Sequence, residues 1–196
     1  MSIRSTALCV AVLLAAACSS TSKRADKKGG EFAELPSPVS RARLEARVEN
    51  IKYQKGVTLV TNLERIAANG EAAIPVCLKG IQSEDAMTRM GCAYVLGRVG
   101  DPRTIAEMTK LLEDPVDYVR YEAAAALGAM GSRDGYGILV RGLEDERIEY
   151  RYKCFEALKD FTGQTFGYSH NAAPEARQVA VEQWNAWLQK VEAEQL

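Results

Sequence analysis

From Leu44 onward, apolar residues recur at intervals of three and four, the spacing that gathers side chains on one face of an α-helix. Val119, Ala123, Ala126, Leu127 and Met130 share one such face, and Ile105, Met108, Leu111 and Leu112 share another. No alternating strand pattern competes with them. Helix ends are also marked. Asp101-Pro102 and Asp114-Pro115 place a capping carboxylate before a proline and so predict helix starts. Gly100 and Gly131 stand where left-handed C-terminal caps are expected, and the glycines in general are read as helix ends. Leu44, Val48 and Ile51 predict an amphipathic helix ahead of a weaker unit over Val57 to Gln82, in which Pro75 delays or kinks the second helix. Beyond a loop of glycine and polar residues, TGQTFGYSHNAAP, a last helix is predicted from about Pro174 to Glu192, with Val181, Trp184, Trp187, Leu188 and Val191 on its apolar side.

The pattern has a period of 31 residues: Leu96-Gly97-Arg98-Val99-Gly100 returns as Leu127-Gly128-Ala129-Met130-Gly131, and the same step reaches Leu158 and Phe161. It also links Ile81 to Leu112 and Leu143, Cys77 to Met108 and Leu139, and Arg89 to Arg120 and Arg151. A unit of this size accommodates two helices of about 11 to 14 residues that cannot bury their apolar faces alone, so the units must stack. The expected fold is therefore an all-α solenoid of about four helix pairs. An N-terminal capping helix and a tryptophan-bearing C-terminal helix cover its ends.

The segments LLEDPVDYVRYEAAAALGAMG and TRMGCAYVLGRVGDP resemble the short HEAT repeats of bacteria and of phycobilisome lyases, over roughly Ser83 to Gly163. The resemblance implies a structural ladder of aspartate and arginine between neighbouring units. Here Asp114 with Arg120 and Asp145 with Arg151 occupy the ladder places, and Ser83 with Arg89 is an incomplete copy. It also implies that second helices line the concave side. Lys79, Lys110 and Arg141 recur at the 31-residue step near the end of each second helix, so they are expected to form a basic stripe for an acidic protein segment or an anionic polymer. A local account stays open, because cations in a last turn meet the helix dipole and Glu113 and Glu144 follow Lys110 and Arg141 by three residues.

Composition narrows the function classes. The chain has 196 residues, 47% hydrophobic, with 25 Lys and Arg against 26 Asp and Glu, so it holds enough apolar material for one core and presents no broad basic field for nucleic acid. Arg4 and the uncharged run Ala7 to Ala17 read as a signal peptide, too short to span a bilayer. Leu14-Ala15-Ala16-Ala17-Cys18 resembles the lipobox of bacterial lipoproteins, although Ala15 stands where that family more often has Leu or Val. The resemblance implies cleavage after Ala17 and acylation of Cys18. With Ser19 following, it implies an outer-membrane address facing the periplasm. The expected organisation is a signal peptide over 1–17, a flexible tether over 18–38 and a helical repeat domain over 39–196.

Cys77, Cys92 and Cys154 remain, in places read as core; a Cys77–Cys92 bridge is the one pairing that neighbouring positions permit. His170 is the only histidine and is read as a polar loop residue. With no phosphate loop, serine-nucleophile elbow or HExxH pattern, no catalytic residue, cofactor or metal is expected. The function expected from these readings is a membrane-tethered cell-envelope scaffold or adaptor, without catalysis, binding an envelope protein or anionic polymer. Two alternatives are a structural subunit docking by its C-terminal end and, by resemblance to the lyases, a tetrapyrrole-handling enzyme.

Overall fold

The computed structural model describes residues 32–33 and 37–193. The expected signal peptide, Cys18 and most of the expected tether lie outside the described residues. Every regular element within them is helical: α1 Pro38–Glu49, α2 Gly56–Ala67, α3 Ile74–Gly80, α4 Ala86–Val99, α5 Ile105–Lys110, α6 Asp117–Ala129, α7 Tyr136–Gly142, α8 Ile148–Thr162 and α9 Pro174–Ala193. The pairs α2/α3, α4/α5 and α6/α7 are three regular repeats, and α8 with α9 closes the stack as an irregular fourth. The fold is an α-solenoid of HEAT-like helix pairs. First helices stack on one another, α2 against α4, α4 against α6 and α6 against α8, while each second helix covers the groove beside them.

Close approach of the first helices depends on glycines inside them, not at their ends. A Cβ at Gly97 would lie 2.5 Å from the Cβ of Ala126, and one at Gly128 would lie 2.2 Å from the ring of Phe161. The reading of the glycines as helix ends is thus corrected for Gly97 and Gly128; it holds for Gly100, which ends α4 at φ 68° with its N–H on the Leu96 carbonyl at 2.9 Å. Volume is conserved between units as well. Gly80 and Gly142 form notches for the thiols of Cys92 and Cys154, each 2.3 Å from where a Cβ would stand, whereas the middle unit has Leu111 and Ala123 at these two places. Large and small residues exchange sides, and the packing between the helices stays filled.

Several expected boundaries move. Second helices are shorter than expected, six or seven residues, because a 3-10 turn precedes α3 and another precedes α5. Pro75 occupies the first turn of α3 and so delays that helix without kinking it. Pro115 does not open α6. That helix starts at Asp117, and the Asp114 carboxylate instead accepts the Val116 N–H at 2.9 Å. Leu44 and Val48 are buried on α1 as expected, but Ile51 lies in the 3-10 turn that follows. The tether expected over 18–38 is shortened from its C-terminal side: Ser37 caps α1, Pro38 begins it, and half-buried Phe32 lies under the Arg103 guanidinium, 4.3 Å from carbon to ring centre.

The segment between α8 and α9 is a loop, as expected, and its aromatic residues pin it to the end of the stack. Tyr168 is buried and donates to the Leu143 carbonyl at 2.6 Å, while Phe166 meets Trp184 edge-on at 4.8 Å and Trp184 meets Trp187 at 5.5 Å. Burying these rings covers the end that a further repeat would otherwise occupy.

Candidate functional site

The 31-residue periodicity puts Asp114 and Arg89 at the ends of adjacent first helices, where one bidentate rung forms. Arg89 donates through Nε and Nη2 to the two Asp114 oxygens at 2.6 and 2.9 Å, and through Nη1 to the carbonyls of Ser83 and Glu84, both at 2.9 Å. Burial pushes the Asp114 carboxyl up. The Arg89 hydrogen bonds, the Val116 N–H and the charges of Arg89 and Arg120 outweigh that and hold it below the ordinary carboxylate value.

The next rung does not repeat. Arg120 turns to Asp117 and to the Asp114 carbonyl at 2.6 Å, leaving Asp145 to Arg147 and to the Tyr121 hydroxyl at 3.0 Å. Arg151 donates to the Asp145 and Glu146 carbonyls at 2.7 and 2.8 Å and to the His170 carbonyl at 2.9 Å, tying the C-terminal cap to α8. His170 itself packs edge-on against Tyr152 at 4.9 Å. Tyr121 and Arg147 were not singled out from the sequence. Arg147 had a readable signal in its Asp-x-Arg spacing, which recurs at Asp101 and Arg103.

The three predicted stripe residues are exposed in the last turn of α3, α5 and α7, but they do not share one groove. Lys79 borders a hollow of about 610 Å³ beside α1, with Glu45 and Glu49 among its walls. Lys110 is paired with Glu107 at 2.7 Å, one turn before it, in place of the expected Glu113. Arg141 lines two adjoining hollows of about 460 and 370 Å³ on the second-helix face. Both share Leu112, Glu113 and Ile138 with it, so together they form one groove running from α6 past α7 to α9.

Leu112, Tyr136, Ile138 and Leu188 give the groove an apolar floor, Asn185 offers an amide, and its charged lining is mixed: Arg133 and Arg141 with Glu113, Asp134 and Glu192. Among the described residues neither Arg133 nor Arg141 enters an ion pair. Asn185 and Leu188 come from α9, which stands outside the repeat register, so repeat arithmetic does not find this groove.

A sequence with one histidine cannot by itself complete the site of two histidines and one carboxylate used by many non-haem iron oxygenases. Among the described residues no three His, Cys, Asp or Glu stand together as metal ligands, and no helix is long and apolar enough to cross a membrane. Cys77, Cys92 and Cys154 are free and buried.

The stacked helix pairs define the class of fold as an α-solenoid with HEAT-like repeats. The family described as HEAT repeats matches residues 57–128, and that described as PBS lyase HEAT-like repeat matches residues 119–145. Curated relatives carry the name deoxyhypusine hydroxylase. That of Drosophila pseudoobscura pseudoobscura is 35% identical over 91 residues, 45% of this chain and 30% of its own length. The Rattus norvegicus protein is 33% identical over 92 residues, 46% of this chain and 31% of its own. Among solved structures, human deoxyhypusine hydroxylase in complex with glycerol aligns over 71% of this chain and 52% of its own at 25% identity and a TM-score of 0.40. The chain thus spans about a third of the length of the curated relatives it matches.

These relatives correct the functional expectation. The proteins that share the repeats are enzymes by name, so the reading of a non-catalytic scaffold or adaptor is overturned. The alternative of an envelope structural subunit gives way to the same finding.

Proposed function

We propose that this chain serves as the substrate-holding repeat portion of an enzyme of the hydroxylase kind, with the groove between α7 and α9 receiving an acidic, amphipathic polypeptide segment. The observation that carries the reading is that Arg133 and Arg141 line one groove with an apolar floor and enter no ion pair among the described residues. Apolar side chains of the segment bury against Tyr136, Ile138 and Leu188, and its carboxylates meet the arginines in charge-assisted hydrogen bonds. The hydroxylase relatives support the enzymatic half of the reading.

The test is fluorescence anisotropy with a labelled deoxyhypusine peptide flanked by acidic residues. Binding should weaken with salt and drop at least tenfold in the Arg133→Ala, Arg141→Ala double variant, the loss expected when two charged hydrogen bonds go. Equal binding by the double variant, or none by the wild type, removes the groove from consideration.

The address is proposed on separate grounds. The Leu14 to Cys18 motif supports a bacterial lipoprotein in which Cys18 carries the lipid. Cys18→Ala should release the protein from the membrane fraction, and unchanged partitioning counts against an anchor there.

A further inference from the structure

Cys77 on α3 and Cys92 on α4 are both wholly buried and belong to successive helices packed against each other. Gly80 follows Cys77 by one turn on the same face of α3, and it is against Gly80 that the Cys92 sulfur rests, 2.3 Å from the point a Cβ would occupy. Repeat geometry isolates the third cysteine: Cys154 fills the same notch at Gly142, but the place equivalent to Cys77 is Leu139.

We propose that Cys77 and Cys92 are a disulfide-forming pair, closed as the chain folds in the presence of a disulfide oxidant and tying α3 to α4. The thiolate of one cysteine attacks the oxidant's disulfide, releasing one thiol of the oxidant and forming a mixed disulfide. The second cysteine then displaces the oxidant's remaining thiol and closes the Cys77–Cys92 bond. The pair gives up two electrons and two protons, and the oxidant's disulfide becomes two thiols.

Folding controls the step. Once α4 has closed over α3, neither sulfur is reachable. The neighbouring Cys77 thiol and burial also hold the Cys92 thiol well above its ordinary pKa, so the attacking thiolate is scarce. The bond therefore forms before the two helices seat, or when they open.

The experiment uses the full chain, unfolded under reducing conditions and refolded in a glutathione redox buffer. Free thiols are then alkylated, and the protein is cut with trypsin without reductant. Trypsin leaves Cys77 in 66–79, Cys92 in 90–98 and Cys154 in 154–159, apart from Cys9 and Cys18, which share 5–23. The expected product is peptide 66–79 joined to 90–98, lighter than the sum by two hydrogens, with Cys154 alkylated. Folded, reduced protein given oxidised glutathione should stay reduced.

The closed loop of about 15 residues should also shift the folding equilibrium by roughly 100-fold in favour of the oxidised chain in urea. Alkylation or glutathionylation of both Cys77 and Cys92 after refolding overturns the proposal, as does linkage of either to another cysteine. So does an oxidised protein less stable than the reduced one.

Discussion

Asp114→Ala is expected to destabilise the solenoid by about 2–4 kcal/mol. The side chains of the rung it breaks are 12% exposed at Arg89 and 4% at Asp114, so water replaces little of what is lost. The change deletes two charge-assisted hydrogen bonds from Arg89 and the one from the Val116 N–H. Arg89 keeps the Ser83 and Glu84 carbonyls, which holds the cost toward the lower part of the roughly 3–5 kcal/mol found when a fully buried pair is broken.

Urea unfolding followed by far-UV circular dichroism at neutral pH reads the difference from the midpoint and slope. The double variant Arg89→Met, Asp114→Leu should lose less than Asp114→Ala, because no charge is left stranded. The pH dependence has a defined sign. With its pKa held below the unfolded value, Asp114 contributes its full share above about pH 4 and loses it as pH falls through the lower folded value. Asp114→Asn should lack that part of the acid loss. A cost of Asp114→Ala within about 0.5 kcal/mol of zero, the range of ordinary surface changes, refutes the rung as a structural tie. So does an acid limb in Asp114→Asn that runs parallel to the wild type.

Arg120→Met should cost no more than about 1 kcal/mol, because its ion pair with Asp117 is largely solvated and only the Asp114 carbonyl contact is lost inside the fold; a loss above about 2 kcal/mol in the same urea assay contradicts this. Gly80→Ala under reducing conditions should cost about 1–3 kcal/mol through the clash with the Cys92 sulfur, and adding Cys92→Ala should recover part of it. Thermal melts of the two variants check this, and equal melting temperatures for both would show that the notch is not what limits the packing.

The periodicity of 31 residues determined the helical class, the stacking of units and most of the buried positions, because each unit's apolar face has nowhere to go except against its neighbour. Leu127, Met108, Leu139 and Trp184 are all buried as that argument requires. Gly100 also ends its helix where its lack of a Cβ allows.

Tertiary structure decided what periodicity treats as equivalent. Arg89 and Arg120 occupy one repeat position, yet Arg89 reaches the next unit's carboxylate, whereas Asp117, one turn before Arg120, captures that side chain. Lys110 and Arg141 likewise share a position, but Glu107 neutralises only the first. The groove itself needs α9, whose packing across α7 follows from the aromatic cap and from no repeat. A repeat determines which residues face inward because burial is a property of the helix face. It does not determine which charges pair, because that choice turns on distances of a few ångströms between side chains from different units.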